Sequence, residues 1–188
     1  DALPIYPADP GCAFADDDTE DGGGYSAGVS APVPYALPTL SDAQGRSTAT
    51  PFPFESIELN AASPARLIVT RVASDGFYVT DVNPKETDEA TGGYNHMYAF
   101  NFSTPAGMRV CDQVTYLSGT LNEFFGFTEL NFPSFNADPL FEGQEDRCKV
   151  PEPAVLEPSV IDDPLQMEPL ESGLVRVLGY HVSEKMGP

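Results

Sequence analysis

Acid–base or metal chemistry in this chain would have to start from its two histidines, His96 and His181. A general base needs an imidazole within reach of the proton it takes, and a zinc site needs clustered nitrogen, sulfur and carboxylate donors. His96 alternates with Tyr98, Phe100 and Phe102. That spacing places it on one face of a strand, half-buried or at an edge, and a structural role is expected. His181 has only Glu184 near it. The three cysteines, Cys12, Cys111 and Cys148, form no Cys-x-x-Cys pair, so a zinc or redox motif is absent. Neither a serine nor a cysteine nucleophile is expected, and the chain is read as not an enzyme.

Two acidic groups invite a cation. The first is the run 16–21, in which Asp16, Asp18 and Asp21 are the candidate metal ligands. Hard cations such as calcium want clustered carboxylate oxygens. Counted as an EF-hand loop from Asp17, however, the last ligand position falls on Gly28, where a bidentate Glu is required. A solvated run is the expectation, with a weak site completed by carbonyls as the alternative. No cofactor is expected, calcium being the one ion considered. The second group, Glu86, Asp88 and Glu89, reads as a charged loop tip between 83 and 93.

The aromatic residues offer a different chemistry. Phe77, Tyr78, Tyr98, Phe100, Phe125 and Phe127 could stack flat ligands such as bases. Stacking of nucleic acid normally comes with a basic groove. Residues 55–135 hold only Arg66, Arg71, Lys85 and Arg109 as cations, against ten acidic residues. The whole chain carries 29 acidic and 9 basic residues, a formal charge of −20. Such a surface repels phosphates. Packing into a core is therefore the first expectation for these rings, a ligand face the second, and no DNA or RNA binding is expected.

These residues need elements to hold them. With 188 residues and 41% hydrophobic content, the chain can form one domain with extensions. Residues 1–54 are an acidic, Gly/Pro-rich arm without Lys or Arg before Arg46, expected to be extended or partly disordered. Its later pieces, VPYALPTL and PFPFESIEL, are placed to drape over the domain C-terminal to them. From 55 to 135, short apolar-alternating runs are separated by turn signals, which is the all-β pattern. The runs are 56–60, 66–73, 76–82, 95–102, 109–115, 118–124 and 127–132. Ser74-Asp75-Gly76 is a tight turn. At least five strands and no three-turn helix are expected there. Residues 136–172 form an acidic, Pro-rich linker or wrapping strand. Residues 173–188 read as the first strand of a possible second repeat.

No run approaches the ~20 apolar residues that span a bilayer, so no transmembrane segment is expected. The chain starts at Asp1 without Met and reads as a mature product or an excised piece. Few Lys, no Trp and loops rich in Asp, Pro and Gly suit an exported protein. In that compartment Cys111 and Cys148 could form a disulfide, closing a loop of ~36 residues and stabilising by ~3–4 kcal/mol. Cys12 is left over, for a partner outside this piece.

The run of residues ARLIVTRVAS, DGFYVTD, YNHMYAFNF and RVCDQVTYLSGTLNEFFGFTEL resembles the OB-like β-barrel modules of exported bacterial proteins. Some of these are surface lipoproteins, and others precede the catalytic domain of extracellular nucleases. The family's Gly-Phe-Tyr-Val-x-Asp strand is matched by Gly76 to Asp81, and its Gly-Thr-Val-x-Glu-Phe-Phe-Gly pair by Gly119 to Gly126. The similarity covers about 55–182 and brings no catalytic residue with it. It implies a small OB-like barrel with an extracellular or cell-surface location. It also implies a non-catalytic scaffold or ligand-contact role, with an unknown ligand or neighbouring domains of the same chain as partners. It leaves two alternatives: an accessory, substrate-positioning domain of an extracellular nuclease or phosphoesterase, and a calcium-dependent adhesive module.

Overall fold

In a computed structural model, residues 37–62, 66–83, 93–140 and 148–179 are described. Six strands form the main sheet: β1 (Ser56–Leu59), β2 (Leu67–Val72), β3 (Gly76–Asp81), β4 (His96–Phe100), β5 (Gln113–Glu123) and β6 (Thr128–Asp138). Neighbours run β1-β5-β2-β3-β4-β6, and β5 also pairs with β6. The ring β5-β2-β3-β4-β6 is therefore closed. All its pairings are antiparallel except β4 with β6, which is parallel. This is the expected small all-β, OB-like barrel. Among the described residues, no helix lies between 60 and 132.

The predicted runs 109–115 and 118–124 fuse into one strand, β5, and β6 continues past Phe132 to Asp138. Both go with the pairing of β5 and β6 along their whole length, from Gln113–Asp138 to Glu123–Thr128, through register shifts at Val114/Tyr116 and Ser118/Thr120. The β5–β6 register shifts between Ser118 and Thr120, so that Phe132 and Pro133 lie opposite Gly119. A bulge leaves a residue out of the ladder, where the missing N–H of proline costs nothing. Gly119 is required there, because a Cβ would sit 2.8 Å from the Asn131 carbonyl oxygen. The hairpin turn between the two strands is Phe125-Gly126, both at positive φ (56° and 77°) and closed by paired Phe124–Phe127 backbone hydrogen bonds. That is the type I′ geometry, which matches strand twist but strains a non-glycine first residue.

The interior is filled from inward positions of every strand, among them Leu67, Val69, Phe77, Val79, Met97, Leu117 and Leu130. The described part of 1–54 does more than drape. Helix α1 (Leu40–Gln44) begins with a capping box between Thr39 and Asp42 and ends at Gly45. Leu40, Ala43 and Phe52 then join the barrel core. Three apolar side chains suffice to anchor a segment whose composition is otherwise that of a solvated arm.

Residues 148–179 form a strap across the barrel. Within it, β7 (Ala154–Leu156) pairs in parallel with β8 (Val175–Val177). Between them lie α2 (Pro158–Ile161), α3 (Pro164–Met167) and a 3-10 turn at Glu168–Leu170. The expected bridge is present: Cys111 and Cys148 are disulfide-bonded across 37 positions and tie the start of the strap to the barrel. No helix among the described residues is long and apolar enough to cross a membrane.

Candidate functional site

The outer wall of β3 and β4 carries a connected series of aromatic rings. Alternation along a strand sends Phe77 and Val79 inward, and Tyr78 outward beside its register partner Tyr98. The Tyr78 and Tyr98 rings stack at 4.6 Å. Tyr98 then meets Phe127 at 5.9 Å and Phe100 at 6.3 Å. Phe100 meets Phe102 at 4.3 Å, and Phe102 meets Phe132 at 5.3 Å. Gly76 makes this possible. A Cβ there would meet the Ala99 carbonyl oxygen and lie 3.0 Å from the Tyr98 ring.

Four exposed phenylalanines, Phe54, Phe102, Phe125 and Phe132, are held at positive φ, between 53° and 69°. They are 78%, 64%, 95% and 69% exposed. A bulky residue in the left-handed region costs ~1–3 kcal/mol, and these rings regain little of it by burial. Phe102 is fixed by its neighbours. Asn101 N–H donates to the Asp75 carbonyl and the Thr104 hydroxyl to the Ser74 carbonyl, joining the β2–β3 turn to the residues after β4.

The polar groups of this face are mostly acceptors. The Arg71 guanidinium lies over the Tyr78 ring, 5.2 Å from its centroid. Burial, a hydrogen bond to Asp75 and the nearby charges of Asp75 and Glu129 all push the Tyr98 phenol up, so it stays a donor to Asp75. Glu129 is the parallel-strand partner of Tyr98. Asn131, partner of Phe100, has a buried side-chain oxygen without a hydrogen-bond partner among the described residues.

Of the six residues predicted as a ligand face, the fold brings Tyr78, Tyr98, Phe100 and Phe127 together. Phe77 is in the core, edge-on to Phe135 at 4.9 Å. Phe125 stands at the hairpin tip against Phe124. Phe102 and Phe132 complete the face. Phe102 was visible in the alternation 98, 100, 102, whereas Phe132 owes its place to the bulge at Pro133.

The other end of the same wall is covered. His96 shares a 2.7 Å hydrogen bond with Thr80 through Nδ1, and burial holds its pKa down at about 4. The strap passes so close that a Cβ on Gly173 would lie 2.7 Å from the imidazole. A cleft of about 1050 Å³ opens beside it, lined by Arg66, Lys149, Asp81 and Glu152 among others. The Asp81 carboxylate already accepts the Arg66 and Asn83 backbone N–H groups, so it is engaged in the fold. Nearby, Thr128 joins two carboxylates. Its N–H donates to Glu171 at 3.0 Å and its hydroxyl to Glu123. Gln44 Nε2 also donates to Glu171, at 3.2 Å. Burial, with the charges of Glu168 and Glu123, raises Glu171 to about 7 against its two hydrogen bonds.

Among the described residues, no three His, Cys, Asp or Glu side chains are grouped to hold a metal. Asp16, Asp18 and Asp21 lie outside the described residues, as do Glu86, Asp88, Glu89, His181 and Cys12. So does Gly24-Tyr25-Ser26-Ala27-Gly28, a Gly-x-Ser-x-Gly run that bears on the expectation of no serine nucleophile. A nucleophile elbow needs a strand before the serine and a helix after it, and this run instead comes directly after acidic and glycine residues. Compared with known proteins, the chain matches no protein-family model, no curated protein and no solved structure.

Proposed function

We propose that this chain is a non-catalytic ligand-contact module of a secreted or cell-surface bacterial protein, and that the aromatic wall of β3 and β4 is its contact surface. The observation that carries this is a ring series whose last two members, Phe102 and Phe132, are exposed and held in a costly backbone conformation with little burial in return. The wall also occupies the strand 2–3 face of an OB barrel, between the first turn and the last hairpin, which is where such barrels take their ligands. The disulfide fits an oxidising compartment. With a charge of −20, contact with nucleic acid is not part of the proposal.

Stability of the double variant Phe102→Ala, Phe132→Ala tests whether the rings serve the fold or a ligand. Removing two mostly exposed rings should cost less than ~1 kcal/mol in urea unfolding. A loss of ~3 kcal/mol or more, the size seen for core aromatics, would make them structural and overturn the proposal. Anisotropy with a labelled single strand, with and without calcium, tests the nuclease-accessory alternative. Micromolar binding without calcium would put that alternative first.

A further inference from the structure

We infer that the aromatic wall docks a cationic, arginine-bearing polypeptide segment. The inference rests on the ligand-contact reading above and supplies its chemical class. Three observations favour this occupant over a neutral or anionic one. First, the wall sets its rings beside an exposed carboxylate: Asp75, in the β2–β3 turn, accepts from the Tyr98 phenol and borders the ring series. A ligand that complements this carboxylate brings N–H donors and positive charge. Second, the wall already holds one guanidinium, that of Arg71 on Tyr78. The faces of Phe102 and Phe132 are the same chemistry left open. Guanidinium stacks on such faces better than ammonium does, because it is planar and less strongly hydrated. Third, the formal charge of −20 attracts cations over a long range and repels phosphates.

Attraction by charge alone would give binding anywhere on the surface, so the test must separate ring contact from charge. The probe is a fluorescein-labelled peptide of alternating arginine and glycine, read by anisotropy against the full chain at physiological salt. The matched lysine peptide, the matched glutamate peptide, a neutral glucose oligosaccharide and oligothymidylate serve as comparison arms. The arginine peptide should bind more tightly than the lysine peptide, and the other three should not bind. The neutral change Phe102→Ala with Phe132→Ala should weaken arginine-peptide binding about tenfold. Asp75→Asn should weaken it several-fold, and Leu165→Ala, on the strap, should leave it unchanged.

Equal binding by the wild type and the Phe102/Phe132 variant would overturn the inference, because charge alone would then explain the affinity. Binding of the oligosaccharide or oligothymidylate in place of the peptide, lost in the same variant, would overturn the cationic class while leaving the contact surface standing. No binding by any probe, with the variant as stable as the wild type, would also overturn it. A variant that unfolds would remove the contact-surface reading itself.

Discussion

The two ends of the β3–β4 wall make an instructive pair. Both are built from outward positions of the same two strands, Thr80 and His96 at one end, Tyr78, Tyr98 and Phe100 at the other. At the His96 end the chain covers its own surface. The strap lies on the imidazole, Tyr94 N–H donates to the Pro169 carbonyl, and Glu171 reaches Thr128 and Gln44. Covering a polar histidine required a partner for its ring nitrogen, and Thr80 supplies one. At the Tyr98 end the more apolar half of the wall stays partly open. Had burial of apolar area alone set the strap's path, it would cover the rings and leave His96 to water. The reverse arrangement leaves Phe102 and Phe132 exposed, as the proposed contact surface requires.

The sharpest way to break this contrast is to change the same residue type on the two sides of the wall. Phe77→Ala, inside, should cost ~3–5 kcal/mol in urea unfolding, because it leaves a cavity among fully buried neighbours. Phe132→Ala, outside, should cost less than ~1 kcal/mol. Similar losses at both sites would mean that the wall has no open side.

The next largest effect concerns what fixes the strap. Replacing Cys111 and Cys148 with serine should cost ~3–4 kcal/mol in the chain-entropy account. Proteolysis should then cut first within 148–179, with the Tyr78–Tyr98 end keeping its near-ultraviolet signal. Thiol titration of the unfolded, unreduced chain should find one free thiol, Cys12. Three free thiols would contradict the bridge.

The smallest effect is on pH, and here the covered end holds two opposed groups. Glu171 is raised to about 7 in the folded chain from an ordinary 4.5. The folded state therefore binds the extra proton, and this contribution is full at low pH and lost as the pH rises from 4.5 to about 7. His96 is lowered to about 4 from 6.5. Its contribution is present above 6.5 and lost as the pH falls towards 4. The two slopes oppose each other. Relative to the wild type, Glu171→Gln should make stability rise more steeply with pH between 4.5 and 6.5, by ~1–2 kcal/mol across the window. His96→Asn should tilt it the other way. Matching profiles for both variants and the wild type would mean that the strap does not bury these groups.

Much of the barrel was legible in the residues. Alternation marked the strands. Ser74-Asp75-Gly76 marked a turn, the gap between the runs 118–124 and 127–132 marked another, and the cysteine placement suggested the bridge. The part of the site on β4 was legible too, since Tyr98, Phe100 and Phe102 alternate in plain view. Other features were not. Alternation says that Phe77 and Tyr78 face opposite ways but not which of them faces inward. Phe132 joins the wall only because a bulge at Pro133 shifts the register of β6; a proline there fits a bulge, an edge or the end of a strand alike, so Pro133 alone does not say which.

The sequence by itself determined the periods, the turn positions and the charge. Each of these is a property of neighbouring residues or of a sum over the chain. The tertiary structure alone decided that β4 meets β6 in parallel and that Leu40, Ala43 and Phe52 enter the core. It also set the strap over His96 and left the rings open. All of these are contacts between segments far apart in the chain, selected by how complete closed packings compare in energy. That comparison leaves no mark in any short stretch of residues.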